Sequence, residues 1–178
     1  GWALSRGVGA PIPAAGGHRI VVGQPGHAER LIFPALDAAA LSDLAASITA
    51  PGIFLKAFCP PEALLAAVDA RWSPQPPGDL MAVDLVAAPP PTPLAAGYVQ
   101  ELRAEGAVLV VEIQDADGVL AASGRAALTG GFAVFDKIVT DPAHQRRGLG
   151  RFVMGVLGER ARALGADECI NYAKDDWV

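Results

Sequence analysis

The sequence predicts an α+β fold in which one face of a mixed β-sheet carries an amphipathic helix. Four β-rich runs joined by turns lie between residues 97 and 140, and they predict an antiparallel meander. A helical pattern over 148–165 and a short β-rich run at 168–172 follow. A strand–helix–strand connection places its two strands parallel, so the predicted sheet is mixed.

The N-terminal half has a different pattern and predicts a separate α/β region over residues 1–93, whose type the sequence leaves open. The residues before 18 are rich in Gly, Pro and Ala and predict irregular backbone. Short β-rich runs predict strands over 18–23, 52–58 and 80–86. Apolar spacing predicts helices over 26–48, interrupted at Pro34 and capped anew by Asp37, and over 60–72. A proline-rich stretch at 87–93 predicts a stiff linker, so the second region spans 94–178.

The elements of the second region each carry a local signal. The run 97–106 predicts the first strand, and 107–128 predicts a hairpin that turns at Asp115–Gly118. The run 132–140 alternates between two faces, which is typical of a strand. The helix predicted over 148–165 ends at Gly165, and its apolar stripe consists of Phe152, Val153, Val156, Leu157, Ala161 and Leu164.

Composition and charge exclude several classes of function. The 178 residues carry 14 basic and 19 acidic side chains, for a net charge of −5, which argues against a general binder of nucleic acid or of acidic membranes. The longest uncharged run, 85–100, contains four prolines and is too short to span a bilayer as a helix. With no signal-peptide pattern either, we expect a cytoplasmic location. The two cysteines and three histidines have no metal-ligand spacing, so no metal site is predicted.

The stretch DPAHQRRGLGRF, residues 141–152, concentrates positive charge and glycine where the long helix begins. The first turn of a helix leaves about four N–H groups unpaired, and the helix dipole adds about half a positive charge there. Arg146, Arg147 and Arg151 add full charges, and the glycines allow a ligand to approach the backbone. The stretch therefore predicts a pyrophosphate cradle. It lacks the pattern of a P-loop, and Val153 stands where a dinucleotide fingerprint needs its third glycine.

The spacing Gln145-Arg146-Arg147-Gly148-Leu149-Gly150 resembles the [RQ]xxGx[GA] motif of the GNAT acetyltransferase superfamily. The resemblance is strong over residues 132–166 and extends over 97–172. It implies acetyl-CoA as cosubstrate, with the pantetheine arm along the backbone of the fourth meander strand and the pyrophosphate on the N–H groups that begin the helix. The implied cofactor-binding residues are Ile138, Val139, Thr140, Gln145, Arg146, Arg147, Gly148, Leu149, Gly150, Arg151 and Asn171.

The reaction that the resemblance implies is direct attack by a substrate amine on the thioester. Such a reaction needs an acceptor for the amine proton and a donor for the leaving thiolate. Asp136 lies on the fourth meander strand, where some relatives carry a carboxylate base, and Glu112 lies on a neighbouring strand. Tyr172 is the candidate donor to the thiolate. The expected acceptor is a small-molecule or a protein amine.

Two departures from the family pattern leave alternatives open. The helix and strands that usually follow the fifth strand have no sequence here, and the stretch between the first two meander strands is short. The open sheet edge would then be covered by the N-terminal half or by a second copy in a homodimer, unless the chain is incomplete. A domain that binds acyl-CoA or a protein partner without catalysis is the main alternative function. A dinucleotide-binding fragment is a third, against which Val153 and the antiparallel meander argue.

Overall fold

The computed structural model describes residues 1–85 and 91–173, except for the side chains of residues 171–173. The chain forms two compact units. The N-terminal unit is Gly7–Pro77, and the C-terminal unit combines Gly1–Arg6 with Gly78–Val178. This division differs from the predicted boundary at residue 93, because the first six residues and the strand that follows Gly78 pack within the C-terminal unit.

Four α-helices and ten β-strands make up the described part of the chain. In chain order they are α1 (Trp2–Ser5), β1 (Ile12–Ala14), β2 (Gly17–Gln24), β3 (His27–Phe33), α2 (Ala38–Ser47), β4 (Ile53–Ala57), α3 (Pro61–Ala66), β5 (Asp79–Asp84), β6 (Tyr98–Glu105), β7 (Val108–Asp115), β8 (Leu120–Thr129), β9 (Phe132–Thr140), α4 (Leu149–Ala163) and β10 (Glu168–Ala173). None of these four helices combines the length and the apolar character that a membrane span requires.

The N-terminal unit is a four-stranded sheet in the order β1-β2-β3-β4. The first three strands are antiparallel, and β3 pairs parallel with β4 through α2. Leu31, Phe33 and Leu41 are buried in its core, with Ala67 beside them. The Asp37 side chain caps α2, as predicted, by accepting a hydrogen bond from the N–H of Ala40 at 3.1 Å.

Three predicted elements of the N-terminal half were wrong in type or length. Residues 27–33 form β3 instead of the first piece of a helix, because they complete a sheet with β2 on one side and β4 on the other. The helix predicted over 60–72 is confined to α3. The stretch before residue 18, predicted as irregular, contains α1 and β1.

The C-terminal unit is a six-stranded mixed sheet in the order β5-β10-β9-β8-β7-β6. The predicted antiparallel meander of β6 to β9 is confirmed, as is the parallel pairing of β9 with β10 across α4. The strand β5 pairs antiparallel with β10, from Asp79 opposite Ala173 to Asp84 opposite Glu168. The sheet edge expected to be open beside β10 is therefore occupied by a strand from before the proline-rich stretch.

The helix α4 packs against one face of this sheet and forms the main core of the unit. Val153 and Leu157 are fully buried on its apolar stripe, facing Val111, Ile113 and Phe135 of the sheet. Burial of such side chains stabilises the fold by about 1.5–3 kcal/mol each. The start of α4 is thereby held in a fixed place beside the end of β9.

Candidate functional site

A β-bulge interrupts β9 close to its end. Asp136 lies opposite Arg125 of β8, but the next regular pair joins Val139 to Ser123, so two residues of β9 face one residue of β8. The first of the two, Lys137, has a φ of 52°, in the left-handed region that favours glycine. The second, Ile138, turns towards α4. The bulge thus redirects the backbone from Ile138 to Thr140.

The strand β9 also loses its neighbour at the bulge. Its pairing with β10 runs from Phe132 to Phe135 and ends there, although both strands continue. Along this side the backbone of 136–140 has no strand partner among the described residues. An extended ligand can hydrogen-bond to such an edge as an added strand would.

The loop between β9 and α4 is rigidly organised at its start. The Asp141 side chain caps a short 3-10 turn, Pro142–His144, by accepting a hydrogen bond from the N–H of Ala143 at 2.9 Å. Further along, Arg146 and Gly148 have φ values of 58° and 78°. Backbone that passes through left-handed residues in this way forms a concave array of N–H groups, which suits an anion.

The first turn of α4 has no side-chain cap. Its N-cap residue is Gly148, which has no side chain to accept from the first N–H groups, and no other side chain that the structure describes does so. In the N-terminal unit the Asp37 side chain caps the start of α2. The N–H groups in the first turn of α4 are therefore more available to a ligand than those of α2. A Cβ on Gly150 would lie 3.4 Å from Oγ1 of Thr140, which shows how closely the helix start approaches the end of β9.

The three arginines of the stretch have different surroundings. Arg146 and Arg151 are exposed, and within residues 1–85 and 91–173 neither forms a hydrogen bond or an ion pair. Arg147 is engaged, because its Nη1 donates to Oη of Tyr98 at 2.7 Å and its Nη2 donates to the carbonyl of Ala143 at 3.2 Å. Two cations are therefore available to a ligand, and the third holds the loop.

A network of half-buried polar side chains extends from Arg147 to the β7–β8 turn. Oη of Tyr98 lies 2.9 Å from Nδ1 of His144, and Nε2 of the same ring lies 3.6 Å from Oδ2 of Asp115. Since a guanidinium only donates, the Tyr98 proton is free to go to Nδ1 of a neutral His144. The loop between β9 and α4 is thus tied to β6 and to the end of β7.

Asp136, a predicted base, is buried with a relative exposure of 6%. Its carboxylate accepts two hydrogen bonds from the Arg6 guanidinium, one of them from Nη2 to Oδ1 at 2.8 Å. Oγ of Ser5 lies 2.9 Å from its Oδ2. No local pattern predicts these partners, because Arg6 and Asp136 are 130 residues apart.

Glu112, the second predicted base, lies in β7 opposite Ser123, which in turn lies opposite Val139. Two strand spacings place it about 10 Å from the end of β9. Its Oε1 and Oε2 accept from Nη2 and Nη1 of Arg103 at 3.0 and 2.9 Å. These hydrogen bonds lower the pKa of Glu112, which makes it a weaker base.

Other predicted site residues are placed only in part. Gln145 follows the 3-10 turn and is exposed. The backbone of Asn171 and Tyr172 belongs to β10, but their side chains lie outside the described part of the chain. Their predicted contacts with the pantetheine arm and the thiolate therefore stay predictions. No cluster of three or more metal-binding side chains is found within the described ranges.

Four contributing side chains had no sequence signal of their own. Tyr98 and Asp115 flank the site from the outer strands, and Ser5 and Arg6 reach it from the start of the chain. Only the alternation of β6 and β7 could have placed Tyr98 and Asp115 opposite each other. Nothing in the spacing of residues 1–6 indicates a partner in β9.

Two solved structures have folds similar to that of this chain. A GCN5-related N-acetyltransferase from Kribbella flavida matches with a TM-score of 0.65 and 15% identity, over 99% of this chain and 84% of that one. A tandem GNAT protein from the clavulanic acid biosynthesis pathway, solved without AcCoA, matches with a TM-score of 0.52 and 15% identity, over 80% of this chain and 54% of that one. At these identities the likeness shows the fold alone. No curated protein is detectably similar to the chain in sequence.

The family model for the acetyltransferase (GNAT) family matches residues 73–176, which is more than half of the chain. The matched range contains the whole six-stranded sheet, the bulge in β9 and the glycine-led start of α4. The chain therefore belongs to the GNAT family of acetyltransferases.

Proposed function

We propose that this protein transfers the acetyl group of acetyl-CoA to an amine by direct attack of the amine on the thioester. Family membership supports acyl transfer in general terms. The observation that carries the cosubstrate is the start of α4, with Arg146 and Arg151, beside the end of β9. Among the described residues this helix start has no side-chain cap, the two arginines have no partner, and the strand end has no neighbour on one side. A pyrophosphate with an extended pantetheine arm has the chemistry that such a surface binds.

The residues present fit this ligand in two places. The N–H groups of residues 146–151 would hold the pyrophosphate, with Arg146 and Arg151 adding charge. The backbone of Ile138, Val139 and Thr140 would pair with the pantetheine arm, and an N–H at the bulge would polarise the thioester carbonyl. Gln145 and Asn171 remain proposed neighbours of the cofactor.

The amine must lose a proton during the reaction. The contacts of Asp136 and Glu112, the two predicted bases, indicate which group can accept it. Asp136 and Glu112 each accept hydrogen bonds from an arginine, Arg6 and Arg103 respectively. Either carboxylate would have to weaken this ion pair in order to take up a proton. A water molecule beside the end of β9 has no ion pair to break before it takes up a proton. We therefore propose that water takes the proton, and that Tyr172 donates to the leaving thiolate.

Calorimetric titration with acetyl-CoA tests the binding site. Gly148→Ala and Gly148→Glu both place a side chain on a left-handed residue, so the two variants share the same backbone strain. A Cβ at residue 148 meets nothing within 4 Å, so the variants differ only in the charged group that glutamate adds beyond the Cβ. We expect micromolar binding by the wild type, a small loss for the alanine variant and a large loss for the glutamate variant. Equal losses would show that no anion binds at Gly148. A folded wild type that binds no acetyl-CoA would overturn the proposal.

Charge reversal at the unpaired arginines supplies a second test. Arg146→Glu, in the loop before α4, should weaken acetyl-CoA binding, whereas Arg162→Glu, in the last turn of α4, should not. Turnover is tested separately, by thiol release from acetyl-CoA with a panel of small amines and lysine peptides. Binding without thiol release on any amine would favour the alternative, a non-catalytic acyl-CoA-binding domain.

A further inference from the structure

We propose that Arg6 is a positioning residue of the acyl-CoA site, which it serves by holding the bulge of β9 in place through Asp136. The part of this inference that concerns acyl-CoA rests on the proposed function. The part that concerns the bulge rests on contacts within the C-terminal unit alone. Arg6 lies outside the range matched by the family model, which begins at residue 73.

The first six residues are built into the C-terminal unit although the whole N-terminal unit separates them from it in sequence. The helix α1 packs on β8 and β9. A Cβ on Gly1 would fall 2.1 Å from Cγ2 of Val134, so the backbone lies directly on that side chain. Nη1 of Arg125 donates to the carbonyl of Ser5 at 3.2 Å. These contacts fix where the Arg6 side chain starts.

The Arg6 guanidinium meets the Asp136 carboxylate in a two-pronged arrangement, with Nε donating to Oδ2 and Nη2 to Oδ1. Such pairs fix direction as well as charge. Ser5 adds its hydroxyl on Oδ2, and the Trp2 ring lies 5.4 Å from the guanidinium carbon. The side chain of Arg6 is 32% exposed and that of Asp136 only 7%. The carboxylate is thus buried, but its charge is paired and both of its oxygens accept hydrogen bonds.

Asp136 is the residue at which β9 most needs support. The pairing with β10 ends one residue earlier, at Phe135, and the strained Lys137 comes one residue later. The left-handed region is unfavourable for a non-glycine residue, so neighbouring contacts must maintain it. Ile138 supplies one anchor on the α4 face, where it packs against Gly124. The Arg6–Asp136 pair supplies the other, on the face that α1 covers.

This arrangement assigns Asp136 a different role from that of a base. A carboxylate has about four lone-pair positions, and three here already accept or face donors. The side chain of Asp136 is only 7% exposed, so an incoming amine has little access to the remaining position. The same contacts hold the backbone atoms that follow, Ile138 to Thr140, in the direction that the pantetheine arm requires.

Hydrogen exchange of the full chain, read by mass spectrometry, tests the hold on the bulge without any ligand. In Arg6→Ala we expect the amides of 136–140 to exchange about tenfold faster, while those of 132–135, paired with β10, change little. The matched control is Arg103→Ala, which removes a two-pronged pair with Glu112 on the outer strands of the same sheet. It should leave 136–140 as in the wild type.

Acetyl-CoA titration and steady-state kinetics on the same variants test the consequence for the site. We expect Arg6→Ala to weaken binding and raise KM for acetyl-CoA about tenfold, with kcat less affected, and Arg6→Lys to lie between it and the wild type. If Arg6→Ala is unfolded, Arg6→Lys and Ser5→Ala take its place, and a change confined to 136–140 supports the proposal.

Two results would overturn it. One is exchange at 136–140 that stays at the wild-type rate, or that rises equally in Arg103→Ala. The other is a loosened bulge with unchanged affinity and KM for acetyl-CoA. A wild type that binds no acetyl-CoA would refute the proposed function instead, and the exchange data would still decide whether Arg6 holds the bulge.

Discussion

Arg147 donates a 2.7 Å hydrogen bond to the hydroxyl of Tyr98, and this contact joins the loop between β9 and α4 to the far strand of the meander. The two residues are 49 positions apart in sequence. His144 shares the same hydroxyl, so one oxygen organises both side chains of the loop that face β6. A basic side chain within an anion-binding motif thus serves to anchor the loop.

Tyr98→Phe removes that oxygen and keeps the ring. We expect the variant to lose about 1 kcal/mol of unfolding free energy, since the hydroxyl is part-buried and has two partners. Affinity for acetyl-CoA should fall several-fold, because the loop loses its link to β6. Urea unfolding and calorimetry measure the two effects. Gain of affinity, from an Arg147 released towards the ligand, would contradict the anchoring role.

The elements that the sequence predicted correctly are those with local signals. The meander strands alternate, glycines mark their turns, and α4 carries a continuous apolar stripe that ends at Gly165. The anion cradle stays a prediction, although its signal is equally local, because a helix start and its preceding loop lie within a dozen residues. The bulge was not predictable, since Lys137 is a residue that the left-handed region disfavours.

The features that the sequence could not predict depend on pairing across long separations. Leu31, Ile32 and Phe33 fit the apolar face of a helix and the core of a strand equally well, and only their pairing with β2 and β4 decides for β3. The place of β5 beside β10 and that of Arg6 beside Asp136 are likewise set by packing. No local pattern at residues 1–6 indicates whether this segment packs on the sheet or is exposed to solvent.

Gly124 is expected to tolerate no side chain. A Cβ there would lie 2.5 Å from Cδ1 of Ile138 and 2.6 Å from Cγ1 of Val153, so either β9 or α4 must shift. Gly124→Ala should destabilise the protein by about 1–3 kcal/mol and weaken acetyl-CoA binding, because Ile138 is the second residue of the bulge. Gly9→Ala is the control, since a Cβ at that residue meets nothing within 4 Å. Equal thermal stability of the two variants would refute the close packing of α4 on β8.

Asp37 should stabilise the N-terminal unit and leave the cofactor site untouched. Its side chain satisfies one of the free N–H groups at the start of α2, so Asp37→Ala should cost about 1 kcal/mol. Asp43→Ala removes the same charge from an exposed position within that helix and should cost less. We expect both variants to bind acetyl-CoA as the wild type does. Weaker binding by Asp37→Ala alone would show that the N-terminal unit takes part in the site.

The Arg103–Glu112 pair gives the stability of the protein a specific dependence on pH. Hydrogen bonds from Arg103 lower the pKa of Glu112 below its ordinary value of 4.5. Stabilisation by the pair is therefore complete above pH 4.5 and is lost as the pH falls through the lowered value. Because both side chains are partly exposed, solvent screens the pair, and its contribution to stability is small.

Glu112→Gln should accordingly be less stable than the wild type at about pH 7 and should converge with it towards about pH 3, as urea unfolding at a series of pH values would show. Glu101→Gln is the control, since that carboxylate lies 3.9 Å from Nη1 of Arg103 and is 60% exposed. Its difference from the wild type should be small throughout. If Glu112→Gln remained less stable than the wild type by the same amount in acid, the lost stability would come from packing and not from the charge of the pair.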